Sequence, residues 1–152
     1  MSLFQQLTIS ASALTAQRLR MDIISSNIAN ANTTRGRFVN GEWTPYQRKM
    51  VEVMPRGQNS FDSLLDMAMQ REQGGATQGV RVTRIVEDQT PFKLVYDPAH
   101  PEANAEGYVQ LPNVDLTKEM VDMLSATRAY EANVTAFNAG KNMDMKALEI
   151  GR

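Results

Sequence analysis

The chain has 152 residues, with 16 Lys and Arg against 17 Asp and Glu, so no global field attracts nucleic acid or an anionic membrane. The absence of Cys excludes disulfides and thiolate metal sites, and no stretch approaches the ~20 apolar residues of a membrane span. The N-terminus shows no basic region followed by an apolar one, so no cleaved secretory signal is read there.

Apolar residues return at sevenfold spacing from Leu3 to Ala31: Leu7, Leu14, Met21 and Ile28, with Leu3, Ile24 and Ala31 between them. Such spacing keeps one stripe in register along a helix and marks a coiled-coil seam. It predicts a helix over residues 3–30, roughly 43 Å long. Ser10 and Gln17 weaken the seam, while Ile9 and Ile23 lie off it. A helix with apolar residues on two faces is expected to sit among several other helices.

The run Asn30-Ala31-Asn32-Thr33-Thr34-Arg35-Gly36 ends this helix, because Asn and Thr bond to nearby main chain and Gly frees the backbone. Residues 37–56 read as extended, with strand-prone residues from Trp43 to Val53 and a turn or strand start at Pro45. Residues 57–79 are rich in Gly, Gln, Ser and Asn and read as a mobile loop, with a short helix around Phe61, Leu64, Leu65 and Ala68. Strands follow at 80–86 and 92–96, the second placing Phe92, Leu94 and Tyr96 on one face. Pro98 and Pro101 stop it, and 107–112 adds a short extended stretch.

Asp115 is positioned to cap the last helix, with Glu119 placing negative charge near its positive end. Leu116, Met123, Tyr130 and Phe137 then repeat, interleaved by Met120, Thr127 and Val134. Near residue 136 the stripe shifts to Ala136, Gly140, Met143, Ala147 and Ile150. This helix would extend roughly 54 Å, whereas a compact chain of this length is about 38 Å across. The ends are therefore expected to lie against other molecules, and the ten Met residues suit helix surfaces that meet several neighbours. The expected fold is mainly α with a β-rich insertion. Long terminal helices over 1–34 and 113–152 form a coiled-coil-like layer, and 35–112 forms a small central β domain.

Little points to catalysis. The single His100 lies among prolines in a loop, and no nucleotide-binding, zinc-protease or nucleophile-elbow motif occurs. No catalytic, cofactor or metal residue is singled out, and Glu87-Asp88 reads as a solvated turn. The basic group Arg35, Arg37, Arg48 and Lys49 reads as a solvated or inter-subunit salt-bridging surface.

Two stretches carry a resemblance. Ser12-Ala13-Leu14-Thr15-Ala16-Gln17-Arg18 leading to Ser26-Asn27-Ile28-Ala29-Asn30-Ala31-Asn32-Thr33-Thr34 resembles the N-terminal signature of bacterial flagellar rod and hook proteins. Glu119-Met120-Val121 and Arg128-Ala129-Tyr130-Glu131-Ala132-Asn133-Val134 resemble the C-terminal one. Leu94-Val95-Tyr96-Asp97-Pro98, Asn104 to Val109 and Pro112-Asn113-Val114-Asp115 narrow the likeness to the proximal rod branch of that family. The resemblance implies terminal helices packed as the inner layer of a helical tube, with the β-rich insertion outward. That tube is the rod, the drive shaft between the membrane-embedded ring and the hook. It also implies passage through the flagellar type III export apparatus without a cleaved signal, and contacts with itself, other rod proteins and the rod-base adaptor. Nucleic acid and direct membrane insertion are not implied. Asn27, Asn30 and Thr33 would end the helix and set the insertion's exit angle. Leu7, Leu14, Met21, Ile28, Met120, Met123, Leu124, Tyr130, Val134 and Phe137 would make assembly contacts. The competing readings are another axial subunit and a helical export adaptor or chaperone.

Overall fold

The computed structural model describes residues 3–39, 41–56 and 79–150. Its elements are α1 (Leu3–Ala29), β1 (Arg37–Val39), β2 (Glu42–Thr44), β3 (Lys49–Pro55), β4 (Val80–Glu87), β5 (Lys93–Tyr96), β6 (Tyr108–Leu111) and α2 (Leu116–Ile150). The fold is mainly α with a small β-rich insertion, as the pattern predicts. The short helix expected around Phe61 lies outside the described residues.

The strands form three two-stranded sheets, β1-β2, β3-β4 and β5-β6. The stretch read as simply extended over 37–56 is a hairpin followed by a separate strand. Phe38 opposes Trp43 and Val39 opposes Glu42, leaving a two-residue connection with Gly41 at φ 90°. The sequence Asn40-Gly41 favours that sharp reversal. In the second hairpin Tyr96 opposes Tyr108 and Val95 opposes Val109, and both turn groups of Asn104 help to close it. Asn104 Oδ1 accepts from the Tyr108 N–H at 2.8 Å, and its C=O accepts from Gly107 N at 2.9 Å.

The chain divides into two compact units. One comprises Met1–Leu19, Glu52–Arg84 and Ala126–Arg152; the other comprises Arg20–Val51 and Ile85–Ser125.

Within the first unit α1 meets both a strand and a helix. Ser12 Oγ donates to Ile9 O at 2.7 Å and accepts from Val80 N at 3.1 Å, so one hydroxyl joins helix to strand. Gly79 is buried, and a Cβ there would run into Ser12 Oγ. Ala16 and Leu19 line a groove of about 470 Å³ together with Val80 and Val82. This part of α1 thus faces the chain's own strand β4 across that groove. On α2, Gly140 is buried, and a Cβ there would lie 3.5 Å from Leu7 Cδ2.

In the second unit Ile24, Val109 and Val114 are buried. Gly36 N donates to Thr44 O at 2.9 Å and Tyr46 N donates to Thr33 O at 3.0 Å. A Cβ on Gly36 would sit 2.6 Å from Tyr46 N, so this backbone approach requires glycine. Leu94 and Tyr96 do share a face of β5, but every residue of that strand is exposed, and the buried residue of this hairpin is Val109 on β6.

The buried line of α2 differs from the apolar stripe read from sequence. Glu119, Ala126 and Gly140 are buried and Met123, Tyr130, Asn133 and Phe137 half-buried. These positions alternate four and three residues apart, a seam in its own right. It shares Met123, Tyr130 and Phe137 with the sequence stripe but replaces Leu116 and Met120 by a charge and small residues. Apolar periodicity cannot show such a seam, because its tightest positions are polar or lack bulk.

Candidate functional site

The second unit contains a buried polar cluster centred on Asn27, Arg48 and Glu119. Asn27 lies in the last turns of α1 and is 1 % exposed; Glu119 lies in the first turns of α2 and is 0 % exposed. Asn27 uses every hydrogen-bonding position of its amide. Nδ2 donates to Lys49 O at 2.9 Å and to Glu119 Oε2 at 3.0 Å. Oδ1 accepts from Lys49 N at 3.0 Å and from the Tyr46 hydroxyl at 3.0 Å. The side chain thus pairs with Lys49 as a neighbouring strand would.

Arg48 supplies the charge that Glu119 requires. Its Nε donates to Glu119 Oε1 at 2.6 Å, and its other nitrogens approach Asp88 at 3.4 Å and Asp122 at 3.6 Å. The Arg48 side chain is only 13 % exposed. Burial opposes its charge, but hydrogen bonding and attraction from Glu119, then Asp88, outweigh burial and raise its pKa. Asp88 is held below its ordinary value chiefly by the Thr90 backbone N–H; partial burial opposes this, and the Thr90 hydroxyl and Arg48 reinforce it.

Asn113 completes the frame. Its Oδ1 accepts from Arg48 N at 2.8 Å, and its Nδ2 donates to Asp88 O and Thr90 O, each at 3.1 Å. At the start of α2, Asp115 Oδ1 accepts from Thr117 N at 3.0 Å, so Asp115 is the N-cap. Asn30 Nδ2 donates to Ser26 O at 2.9 Å, and Thr33 Oγ1 donates to Asn30 Oδ1 at 3.3 Å. These two residues finish the helix locally, whereas Asn27 reaches a strand and a second helix.

Several sequence expectations change here. Arg48 is not a solvated or inter-subunit cation but the partner of carboxylates within its own unit. Arg37 pairs with Glu87 at 2.7 Å, and Arg35 pairs with Glu102. Lys49 Nζ lies 5.6 Å from the centre of the Tyr46 ring. Asp88 belongs to the cluster rather than to a solvated turn. His100 Nδ1 accepts from Glu102 N at 3.2 Å, a local turn contact. Sequence reasoning placed Glu119 only as a helix-end charge, because its partners lie 92 and 71 residues away.

The proposed contact residues divide by exposure. Leu7, Leu14, Met21 and Ile28 on α1, and Met123, Tyr130, Val134 and Phe137 on α2, are half-buried. Met120 and Leu124 are 64 % and 57 % exposed, and Leu116 and Val121 beside them are also exposed. The cluster orders backbone and charge but presents no nucleophile or general base aimed at a substrate site. Among the described residues no group of His, Cys, Asp and Glu is placed to hold a metal ion.

Two family models match the chain's ends. "Flagella basal body rod protein" matches residues 7–36, and "Flagellar basal body rod FlgEFG protein C-terminal" matches residues 105–150. The first spans Asn27 and the second spans Glu119. The chain is 61 % identical to the flagellar basal-body rod protein FlgC of Bacillus subtilis strain 168, over 152 residues and the full length of both. It is 45 % identical to FlgC of Borreliella burgdorferi over 160 residues, covering 99 % of this chain and 98 % of that one. With FlgC of Escherichia coli O6:H1 the identity is 40 %, again over both full lengths. A likeness of this extent, anchored at both helices and unbroken between them, makes the chain a member of the FlgC family of flagellar basal-body rod proteins, which are structural proteins and not enzymes.

Proposed function

We propose that the chain polymerises through its terminal helices to form part of the proximal drive shaft, which transmits torque from the ring to the hook. The observation that carries this reading is the exposed apolar run Leu116, Met120, Val121 and Leu124 on the first turns of α2. A contiguous apolar patch on a helix face is stabilised by burial against another molecule. The family supplies the kind of neighbour: other rod subunits. In this reading residues 1–34 and 113–152 build the inner helical layer and 35–112 faces outward. The half-buried seam residues complete their burial in the tube, and Asn27, with Asn30 and Thr33, sets where the insertion leaves the helix.

The finer partners are the rod-base adaptor below and the flagellar type III export apparatus on the way out, with no cleaved signal. Support comes from the sequence: no Cys is present to mispair during passage. The test is an in-frame deletion in the source bacterium with complementation, scored by electron microscopy of basal bodies. Loss of rods and hooks, restored by the intact gene, is the expected result. Normal hooks in the deletion strain would reject the reading.

A further inference from the structure

In the first unit β4 has one edge that no strand of the described residues occupies, since β3 is its one neighbour in the sheet. Gly79 O accepts from Arg56 N at 2.7 Å on the β3 side, whereas Val80 N donates to Ser12 Oγ of α1 at 3.1 Å. Successive residues of a strand turn their main-chain groups to opposite edges, so α1 stands beside the edge that β3 leaves open. Val82 and Arg84 direct their N–H and C=O to that same edge. Among the described residues no side chain or loop bonds to them there.

The open edge runs into the groove of about 470 Å³ between α1 and β4. Thr15, Ala16 and Leu19 line it from α1, and Val80, Arg81 and Val82 line it from β4. Because α1 stands beside the edge and not over a face, side chains from both faces of β4 reach the groove: Val80 and Val82 from one, Arg81 from the other. The two valines are half-buried and Arg81 is exposed. Arg56 lines the groove as well, and among the described residues neither its guanidinium nor that of Arg81 has an ion-pair or hydrogen-bond partner. The nearby Arg84 is already paired with Glu52 at 2.5 Å. None of the assembly residues of α1, Leu7, Leu14, Met21 and Ile28, lines this groove.

An extended chain laid beside β4 would take up the Val82 and Arg84 main-chain groups and set its own side chains on the same two faces. One face meets Val80 and Val82 and favours apolar residues; the other meets Arg81 and favours a carboxylate. A helix in the groove would leave the edge unpaired, and a small anion would leave the valines uncovered. We infer that the groove binds an extended segment of a partner protein in which acidic and apolar residues alternate, added to β4 as a third strand.

The probe is a fluorescein-labelled peptide, acetyl-Thr-Val-Glu-Val-Glu-Val-Thr-amide, titrated with the whole protein. A saturable rise in anisotropy is expected, and the Val82 and Arg84 amides should exchange more slowly with deuterium when the peptide is present. Arg81→Gln should weaken binding by about threefold and leave the circular dichroism spectrum unchanged. The peptide with Lys in place of Glu should not bind. N-methylation along the peptide backbone removes its donors while keeping its side chains, and should abolish binding. A flat anisotropy up to about 1 mM protein overturns the inference. So does equal binding by the methylated or the lysine peptide, or protection at amides other than those of this edge.

Discussion

At Asn27 a single amide takes the place of a peptide group, closing on the N–H and C=O of Lys49 while also bonding Glu119 and Tyr46. Asn27→Ala would remove the partner of Lys49 N–H and C=O on β3 and one partner each of the buried Glu119 on α2 and of the Tyr46 hydroxyl. At roughly 1–3 kcal/mol for a buried group left unsatisfied, we expect a loss of about 2–4 kcal/mol in urea unfolding of dilute protein. Removal of Arg48 alone should cost about 3–5 kcal/mol, because the fully enclosed Glu119 would lose its charge partner. The pair Arg48→Met with Glu119→Leu should cost less than the sum of its single variants, and a double-mutant cycle measures that coupling. Asp88 adds a pH dependence of known sign. Its pKa is lower in the folded chain than the ordinary value of 3.8, so the unfolded chain binds the proton more readily. Its stabilisation is complete above that ordinary value and disappears as pH falls through the lower folded one. Thermal melts from pH 6 downward should show this loss, and Asp88→Asn should flatten that part of the profile.

At the scale of elements, Gly140 presents a helix-interior glycine whose added Cβ meets Leu7 only at ordinary contact distance. Gly140→Ala should therefore raise the melting temperature of the isolated chain, by up to about 1 kcal/mol in stability, through helix propensity. Gly36→Ala should do the opposite, by about 1–3 kcal/mol, since its Cβ would strike the Pro45-Tyr46 backbone rather than a side chain. Much at this scale was legible in sequence. Both helices, the Asp115 cap, and the strands near 80–86, 92–96 and 107–112 follow from apolar spacing, capping chemistry and turn residues. The reversal after Val39 escaped a reading based on strand propensity, because its signal is the Asn40-Gly41 pair rather than the flanking residues. The buried line of α2 escaped for a different reason. Hydrophobic periodicity registers Leu116 and Met120, which remain exposed, and is blind to Glu119, which is enclosed by a charge partner; Gly140, which the shifted stripe includes, is buried.

For the whole molecule, the same division separates folding from assembly. Leu124 is exposed in the single chain, so Leu124→Asp should change its unfolding by less than about 0.5 kcal/mol. In the rod reading the same aspartate is buried without a partner, which is costly. The expected outcome is a normally folded protein that fails to restore swimming in a deletion strain; full motility would show that Leu124 stays exposed after assembly. The resemblance visible in the terminal motifs carried the family assignment, while the cluster joining those motifs had to be seen in three dimensions. Its pairing at Lys49 has one more consequence. A two-stranded ribbon leaves backbone donors and acceptors open along its outer edges, where any other extended chain can attach. By occupying both groups of Lys49, the helix side chain shields the first residue of β3 from strand exchange.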